Sequence, residues 1–221
     1  MIRYYYENKN MDSLDTVIED VFSENGKFYV RLKDSLFYPQ GGGQKGDRGT
    51  ITVDGKAYQV SNSVKDENGD SVCIVSEEAE KSLIGKPCLC ELDRTFRNRQ
   101  MKLHTCLHVY HMLMEEVKGG AMDYPVLSTI EDGFAVNKYK EDAFEAEKLP
   151  EVTERFHQLL ETDTQVITYP DEKDNNYRYW KCLDTIIPCG GIHVDHLNEI
   201  GEVSVEVKHK KKEISIRITL K

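Results

Sequence analysis

Hydrophobic and polar positions alternate with a period of two over several short stretches in the first ninety residues. Phe28, Val30 and Leu32 alternate with Tyr29 and Arg31, as in a half-buried strand. Residues 50–53 and 56–60 flank Asp54-Gly55, the dipeptide that type I′ hairpins prefer. Residues 71–76 and 88–92 read as further strands, and short strands at this spacing predict a small antiparallel barrel. The period changes after Asp93. Leu103, Cys106, Leu107, Tyr110, Leu113, Met114 and Val117 stand at offsets 0, 3, 4, 7, 10, 11 and 14, one apolar stripe of an amphipathic helix that Gly119-Gly120 ends. A second helix is expected to start at Pro150 and to carry Val152, Phe156, Leu159 and Leu160 inward. Val203, Val205 and Val207 alternate, a basic turn follows from Lys208 to Lys212, and Ile214, Ile216, Ile218 and Leu220 alternate again. The change of period near Leu92–Arg97 predicts two domains, residues 1–92 and 93–221.

Composition narrows the class. A chain of 221 residues with 39% apolar and 31% charged residues is globular. No stretch approaches the roughly 18 apolar residues of a membrane helix, so no membrane partner is expected. The opening Met1-Ile2-Arg3-Tyr4-Tyr5-Tyr6 lacks the basic-then-apolar pattern of a signal peptide, and six cysteines are too sparse for a disulfide scaffold. Both point to a reducing cytoplasm. The formal charge of −10 argues against non-specific wrapping of nucleic acid, and no DNA partner is expected, but local basic patches remain open.

Two clusters carry candidate chemistry. His104, His108 and His111 share one helix face beside the apolar stripe, and a histidine pair four apart can place two imidazole nitrogens on one metal ion. Pro188-Cys189-Gly190-Gly191-Ile192-His193 offers a cysteine and a histidine four apart with glycines that permit a tight bend. This donor set suits Zn²⁺ better than Mg²⁺ or Ca²⁺. Thr105-Cys106 stands where a zinc protease helix carries its glutamate, which disfavours that activity. A third feature is the run from Phe37 to Gly49, in which Gly41, Gly42 and Gly43 let backbone approach a ligand closely, or simply supply unusual backbone angles.

Together these segments resemble the editing domain of alanyl-tRNA synthetases. Arg94, Arg97, Met101 and His104-Thr105-Cys106-Leu107-His108 resemble its "R…R…M…H-T-A-x-H" motif, and Cys189-Gly190-Gly191-Ile192-His193-Val194 with Glu199-Ile200-Gly201 resembles "C-G-G-T-H-V…E-I-G". Phe37 to Gly49 is similar to "F-Y-P-x-G-G-G-Q-x-x-D-x-G". At this length, without aminoacylation domains, the chain looks like a free-standing AlaX-type editing protein of the form with an N-terminal barrel. The resemblance implies an α+β protein, a small antiparallel β-barrel followed by an editing domain of the alanyl/threonyl-tRNA synthetase type. It implies one Zn²⁺ per chain on His104, His108, Cys189 and His193, substrate contacts at Gly41, Gly42, Gly43, Gln44, Thr105, Ser128 and Thr129, and hydrolysis of mischarged tRNA(Ala). Ser-tRNA(Ala) is the leading substrate and Gly-tRNA(Ala) the second. The rivals are a non-catalytic, zinc-stabilised tRNA-binding module and an editor for a different aminoacyl-tRNA. No carboxylate identifies itself as a general base, no ATP site is expected, and a monomer and a homodimer both remain open.

The chain also departs from the pattern. Ile192 and Leu197 stand at the threonine positions of the late motif, Cys106 at the alanine of the helix motif, and Tyr124-Pro125-Val126-Leu127 is apolar where relatives often place a polar residue. These changes bear on amino-acid selectivity. Arg94, Arg97, Arg99 and Lys102, without an acidic neighbour, form a candidate phosphate-binding patch, as does the tail with Lys208, Lys210, Lys211, Lys212, Arg217 and Lys221. His111 and His196 read as surface or supporting histidines. Cys88-Leu89-Cys90 reads as alternate thiols on one packed face rather than a second metal site, Cys73 and Cys182 match no motif, and Trp180 packs on a sheet or stacks on a base.

Overall fold

The structure is a computed structural model that describes residues 1–210 and 213–221; Lys211 and Lys212 of the expected basic turn lie outside the described residues. The chain divides into two compact units, Met1–Gly41 with Lys45–Arg97, and Gly42–Gln44 with Asn98–Lys221.

In the first unit a short helix, α1 (Tyr4–Glu7), precedes six strands: β1 (Ser13–Glu24), β2 (Lys27–Leu32), β3 (Gly49–Val53), β4 (Lys56–Lys65), β5 (Ser71–Val75) and β6 (Pro87–Leu92). They close an antiparallel barrel in the order β1-β2-β5-β4-β3-β6. The β3–β4 turn has Asp54 at φ 51° and Gly55 at φ 78°, the two left-handed residues a type I′ turn requires. Ile18, Val21, Val30, Leu32, Ile51, Val53, Val60 and Cys73 fill the interior with Cys88 and Cys90, so the two alternate thiols of β6 lie on the packed face as their spacing predicts. β1 escaped the alternation pattern because its register shifts between Ile18 and Asp20, which puts buried Ile18 and Val21 three apart instead of two.

The Phe37–Gly49 run is held by close backbone approach and by one buried charge pair. A Cβ on Gly46 would lie 2.0 Å from the Ser63 carbonyl oxygen, and one on Gly49 would lie 2.1 Å from that of Glu91. Arg97, fully buried, forms an ion pair with the equally buried Asp47 and donates to the carbonyls of Leu36 and Lys9. This corrects the expectation that Arg97 contacts phosphate: its guanidinium is enclosed and its donors already have acceptors. Arg94 is likewise occupied, by Asp12 and the carbonyls of Lys9 and Met11.

Helix α2 (Arg94–Lys118) begins in the first unit and from Asn98 onward belongs to the second, which also holds β7 (Leu127–Ile130), β8 (Phe134–Lys140), α3 (Leu149–Leu160), β9 (Val166–Pro170), β10 (Arg178–Cys182), β11 (Thr185–Pro188), β12 (Val203–Lys210) and β13 (Glu213–Leu220). The strands form two antiparallel sheets, β11-β10-β9 and β12-β13-β8-β7. The protein is α+β, as the resemblance implied. Two helix expectations need correction. From Met101 to Met114 nearly every α2 residue is buried, so this stretch is a core helix enclosed all round instead of one with a single apolar stripe. In α3 the buried residues are Leu149, Val152, Phe156 and Leu160, while Leu159 is half-buried.

Removing one member of a buried ion pair leaves the other charge enclosed without a partner, a loss of about 3–5 kcal/mol. Asp47→Ala should therefore lower the urea midpoint sharply. Asp12→Ala, which breaks a pair whose carboxylate is 69% exposed, should cost under about 1 kcal/mol. Equal midpoints for the two variants would refute the structural role of the Asp47–Arg97 pair.

Candidate metal centre and pocket

His104 and His108, one turn apart on α2, meet Cys189 and His193 from the loop after β11. Each of the four offers one donor atom, and these atoms all lie within 4.8 Å of one another. Cys189 Sγ is 3.5 Å from His104 Nε2 and 3.4 Å from His193 Nε2. The bend that brings them together depends on Gly191, where a Cβ would lie 2.1 Å from His104 Cε1. The Gly191 amide also donates to Cys189 Sγ at 3.3 Å.

Neighbouring groups fix which ring nitrogens carry protons. Gln44 Oε1 can only accept, so the 2.8 Å contact requires His104 Nδ1 to be the donor and leaves its Nε2 lone pair facing the cluster. Thr105 Oγ1 donates its one hydrogen to the Met101 carbonyl, so His193 Nδ1, 3.1 Å away, donates to Thr105 and leaves the Nε2 lone pair facing Cys189 Sγ. His108 Nδ1 is buried without a hydrogen-bond partner among the described residues, and its ring packs against Trp180 with centroids 5.0 Å apart. Burial lowers the pKa of His104 to about 4 and that of His108 well below its usual value, and it pushes the Cys189 thiol up to about 11. Neutral imidazoles with inward lone pairs and a soft sulfur form a donor set that fits a borderline cation such as zinc, whose charge would favour the thiolate.

The cluster lies at one side of a cavity of about 540 Å³. Tyr124, Pro125, Val126, Leu127, Leu107 and Ile187 supply apolar wall, while Gly42, Ser128, Asn137 and His111 supply polar edges.

The expected substrate contacts divide in two. Gly42, at φ 59°, and Ser128 line the cavity. Gly43, at φ 82°, accepts from Ile130 N–H through its carbonyl, and a Cβ there would lie 3.0 Å from the Ser128 carbonyl, so it seats β7. Gln44 and Thr105 are corrections: both are fully buried and hold histidines in place instead of facing the cavity. Gly41 belongs to the first unit and Thr129 is half-buried on β7; neither lines the cavity. Trp180 is fully buried against His108, which removes base stacking as its role. Of the basic patch, Arg99 is 43% exposed and paired with Asp132 at 3.1 Å, and Lys102 is half-buried. In the tail, Arg217 lies over the Phe134 ring, and Lys208 and Lys221 pair with Glu206 and Glu202. Sequence reasoning missed Asn137 and Tyr139, because the strand buries Ala135, Asn137 and Tyr139 while its aliphatic Val136 is only half-buried, so apolar alternation does not mark the inward face.

Comparison with known proteins places the chain among curated relatives. No protein-family model matches the chain. It is 32% identical over 182 residues to alanyl-tRNA editing protein AlaX-M of Pyrococcus horikoshii, covering 79% of this chain and 77% of that protein. The chain belongs to the AlaX family of alanyl-tRNA editing proteins. It is also 29% identical to AlaX-L of the same organism over 95% of this chain, and spans about half of that protein, 55%. Against the alanine–tRNA ligase of Haloquadratum walsbyi it is 25% identical and covers 24% of the enzyme.

Because a Cβ at Gly191 would overlap the His104 ring, Gly191→Ala should displace that imidazole and cut metal retention at least tenfold while the barrel stays folded. Metal content by mass spectrometry, with circular dichroism as the folding control, checks this. Full retention of metal would show that His104 is not held where the structure puts it.

Proposed function

We propose that this chain is a hydrolase that deacylates mischarged tRNA(Ala), chiefly Ser-tRNA(Ala) and secondarily Gly-tRNA(Ala). The observation that carries the reading is the convergence of His104, His108, Cys189 and His193 at a largely apolar cavity in a member of the alanyl-tRNA editing family. A pocket shaped for alanine rejects serine and glycine only modestly, because a small added or missing group is worth about 1–3 kcal/mol, so a second hydrolytic site raises fidelity. The barrel and the α+β unit act as two domains joined near residues 92–97.

The four donors would hold one zinc ion per chain, which when bound supplies a positive charge that can polarise the ester carbonyl or orient the substrate. The protein's own groups perform the remaining work. Gln44 and Thr105 hold His104 and His193 with their lone pairs inward, so no rearrangement accompanies binding. Gly42, without a side chain, lets backbone approach the aminoacyl end, and the exposed apolar wall from Tyr124 to Leu127 offers a surface for that end to pack on. Water adds to the ester carbonyl carbon, the bond from that carbon to the ribose oxygen breaks, and the ribose hydroxyl leaves with the proton. Arg99 and Lys102 remain as phosphate contacts, reached in the cytoplasm by the tRNA. A set of four protein donors also suits a structural ion, which favours the zinc-stabilised tRNA-binding module as the second reading.

Purified protein should deacylate Ser-tRNA(Ala) and spare Ala-tRNA(Ala), and His108→Ala should abolish the activity. Loss of neither ester from folded, zinc-loaded protein leaves the binding module in possession. Undiminished hydrolysis by metal-free, folded His108→Ala protein sinks the zinc requirement. Replacing Arg99 and Lys102 together by Gln should flatten the log–log salt dependence of tRNA binding by about two phosphate contacts. An unchanged slope removes these residues from the interface.

A further inference from the structure

One wall of the cavity carries a continuous hydrogen-bonded chain whose direction can be deduced. Ser128 Oγ lies 2.7 Å from Asn137 Oδ1, Asn137 Nδ2 lies 3.2 Å from the Tyr139 hydroxyl, and that hydroxyl lies 3.1 Å from His111 Nδ1. The far nitrogen, His111 Nε2, faces the Glu115 carboxylate at 3.7 Å, and Glu115 itself accepts from the Met122 amide. An amide nitrogen only donates and an amide oxygen only accepts, so Asn137 sets the direction of the links on both of its sides. Asn137 Nδ2 donates to the Tyr139 oxygen, whose hydroxyl in turn contacts His111 Nδ1, and Asn137 Oδ1 accepts from Ser128. The single hydrogen of the Ser128 hydroxyl is thus turned into the wall, and its lone pairs face the cavity.

We propose that Ser128 Oγ is the serine sensor of the site: an acceptor, oriented through Asn137, Tyr139 and His111, that takes a hydrogen bond from the β-hydroxyl of the esterified serine. This rests on the deacylase reading above and names its selectivity determinant. The surroundings support it. The residues preceding Ser128, from Tyr124 to Leu127, are apolar, so the hydroxyl meets few other polar groups on that wall. Burial keeps His111 neutral, stacked between Tyr124 and Tyr139 with centroids 5.6 and 5.8 Å away. The Gly43–Ile130 backbone bond and the tight approach of Gly43 to the Ser128 carbonyl fix the strand that bears the hydroxyl. An alanyl ester has no β-donor, so it would cover the Ser128 lone pairs without satisfying them, which disfavours alanine at the same place that serine is favoured. Ser128 touches the substrate; Asn137, Tyr139 and His111 are positioning residues.

The test is the ratio of kcat/KM for Ser-tRNA(Ala) over Ala-tRNA(Ala), which a general loss of folding or metal does not move. Ser128→Ala should lower the ratio about tenfold, one hydrogen bond's share of the discrimination. Ser128→Thr, which keeps the hydroxyl, should restore it, and Tyr139→Phe, which breaks the chain behind Asn137, should lower it severalfold. An unchanged ratio in both Ser128→Ala and Tyr139→Phe overturns the assignment while leaving the deacylase reading intact. Wild-type protein that hydrolyses neither ester overturns the deacylase reading, and the sensor falls with it.

Discussion

The hydrogen bond from His104 Nδ1 to Gln44 Oε1 is the constraint on which the site depends. Its two ends are 60 residues apart, and the same amide oxygen accepts from the Ile192 N–H, 148 residues from Gln44. One buried acceptor thereby ties the glycine loop, the core helix and the cysteine-bearing loop to one geometry. The room for this is set by Gly191, because any side chain there would displace the ring that Gln44 orients. Loss of the Gln44 side chain would free the His104 ring to rotate and would orphan two buried donors at once, which is costly in a low-dielectric interior.

Burial does two jobs in the same place. It keeps His104 and His108 neutral, so that their lone pairs are available to a cation, and it raises the Cys189 thiol, so that a positive charge beside it favours the thiolate. The enclosure of α2 from Met101 to Met114 produces both effects. A helix buried on only one side would have left His104 hydrated, with ordinary titration and a mobile ring.

Charge is handled differently in the two units. Arg97, which sequence places among candidate phosphate contacts, is consumed by Asp47 inside the first unit, together with the carbonyls of Leu36 and Lys9. The apparent basic patch is therefore smaller than the sequence suggests: Arg94 is half-buried and held by Asp12 and two backbone carbonyls, which leaves Arg99 and Lys102 as its candidate members. An acidic protein that meets a polyanion has to do so through a few exposed cations, and binding of that kind weakens steeply with salt.

Local periodicity was sufficient for the barrel strands around Asp54-Gly55, the existence of both helices, the final hairpin and the packed face of Cys88 and Cys90. The i, i+4 spacing of His104 and His108 and the Cys189–His193 bend made the donor set visible, and the motifs around them pointed to the family. Tertiary structure alone decided what the neighbours do. Gln44 and Thr105 turned out to orient histidines, Arg97 to close a buried ion pair, and Asn137 and Tyr139 to form the polar wall. A sequence pattern reports which face of an element is buried, because side-chain direction repeats along the chain. It does not report which distant groups meet in the interior, since donors and acceptors separated by tens of residues are matched only when the fold encloses them.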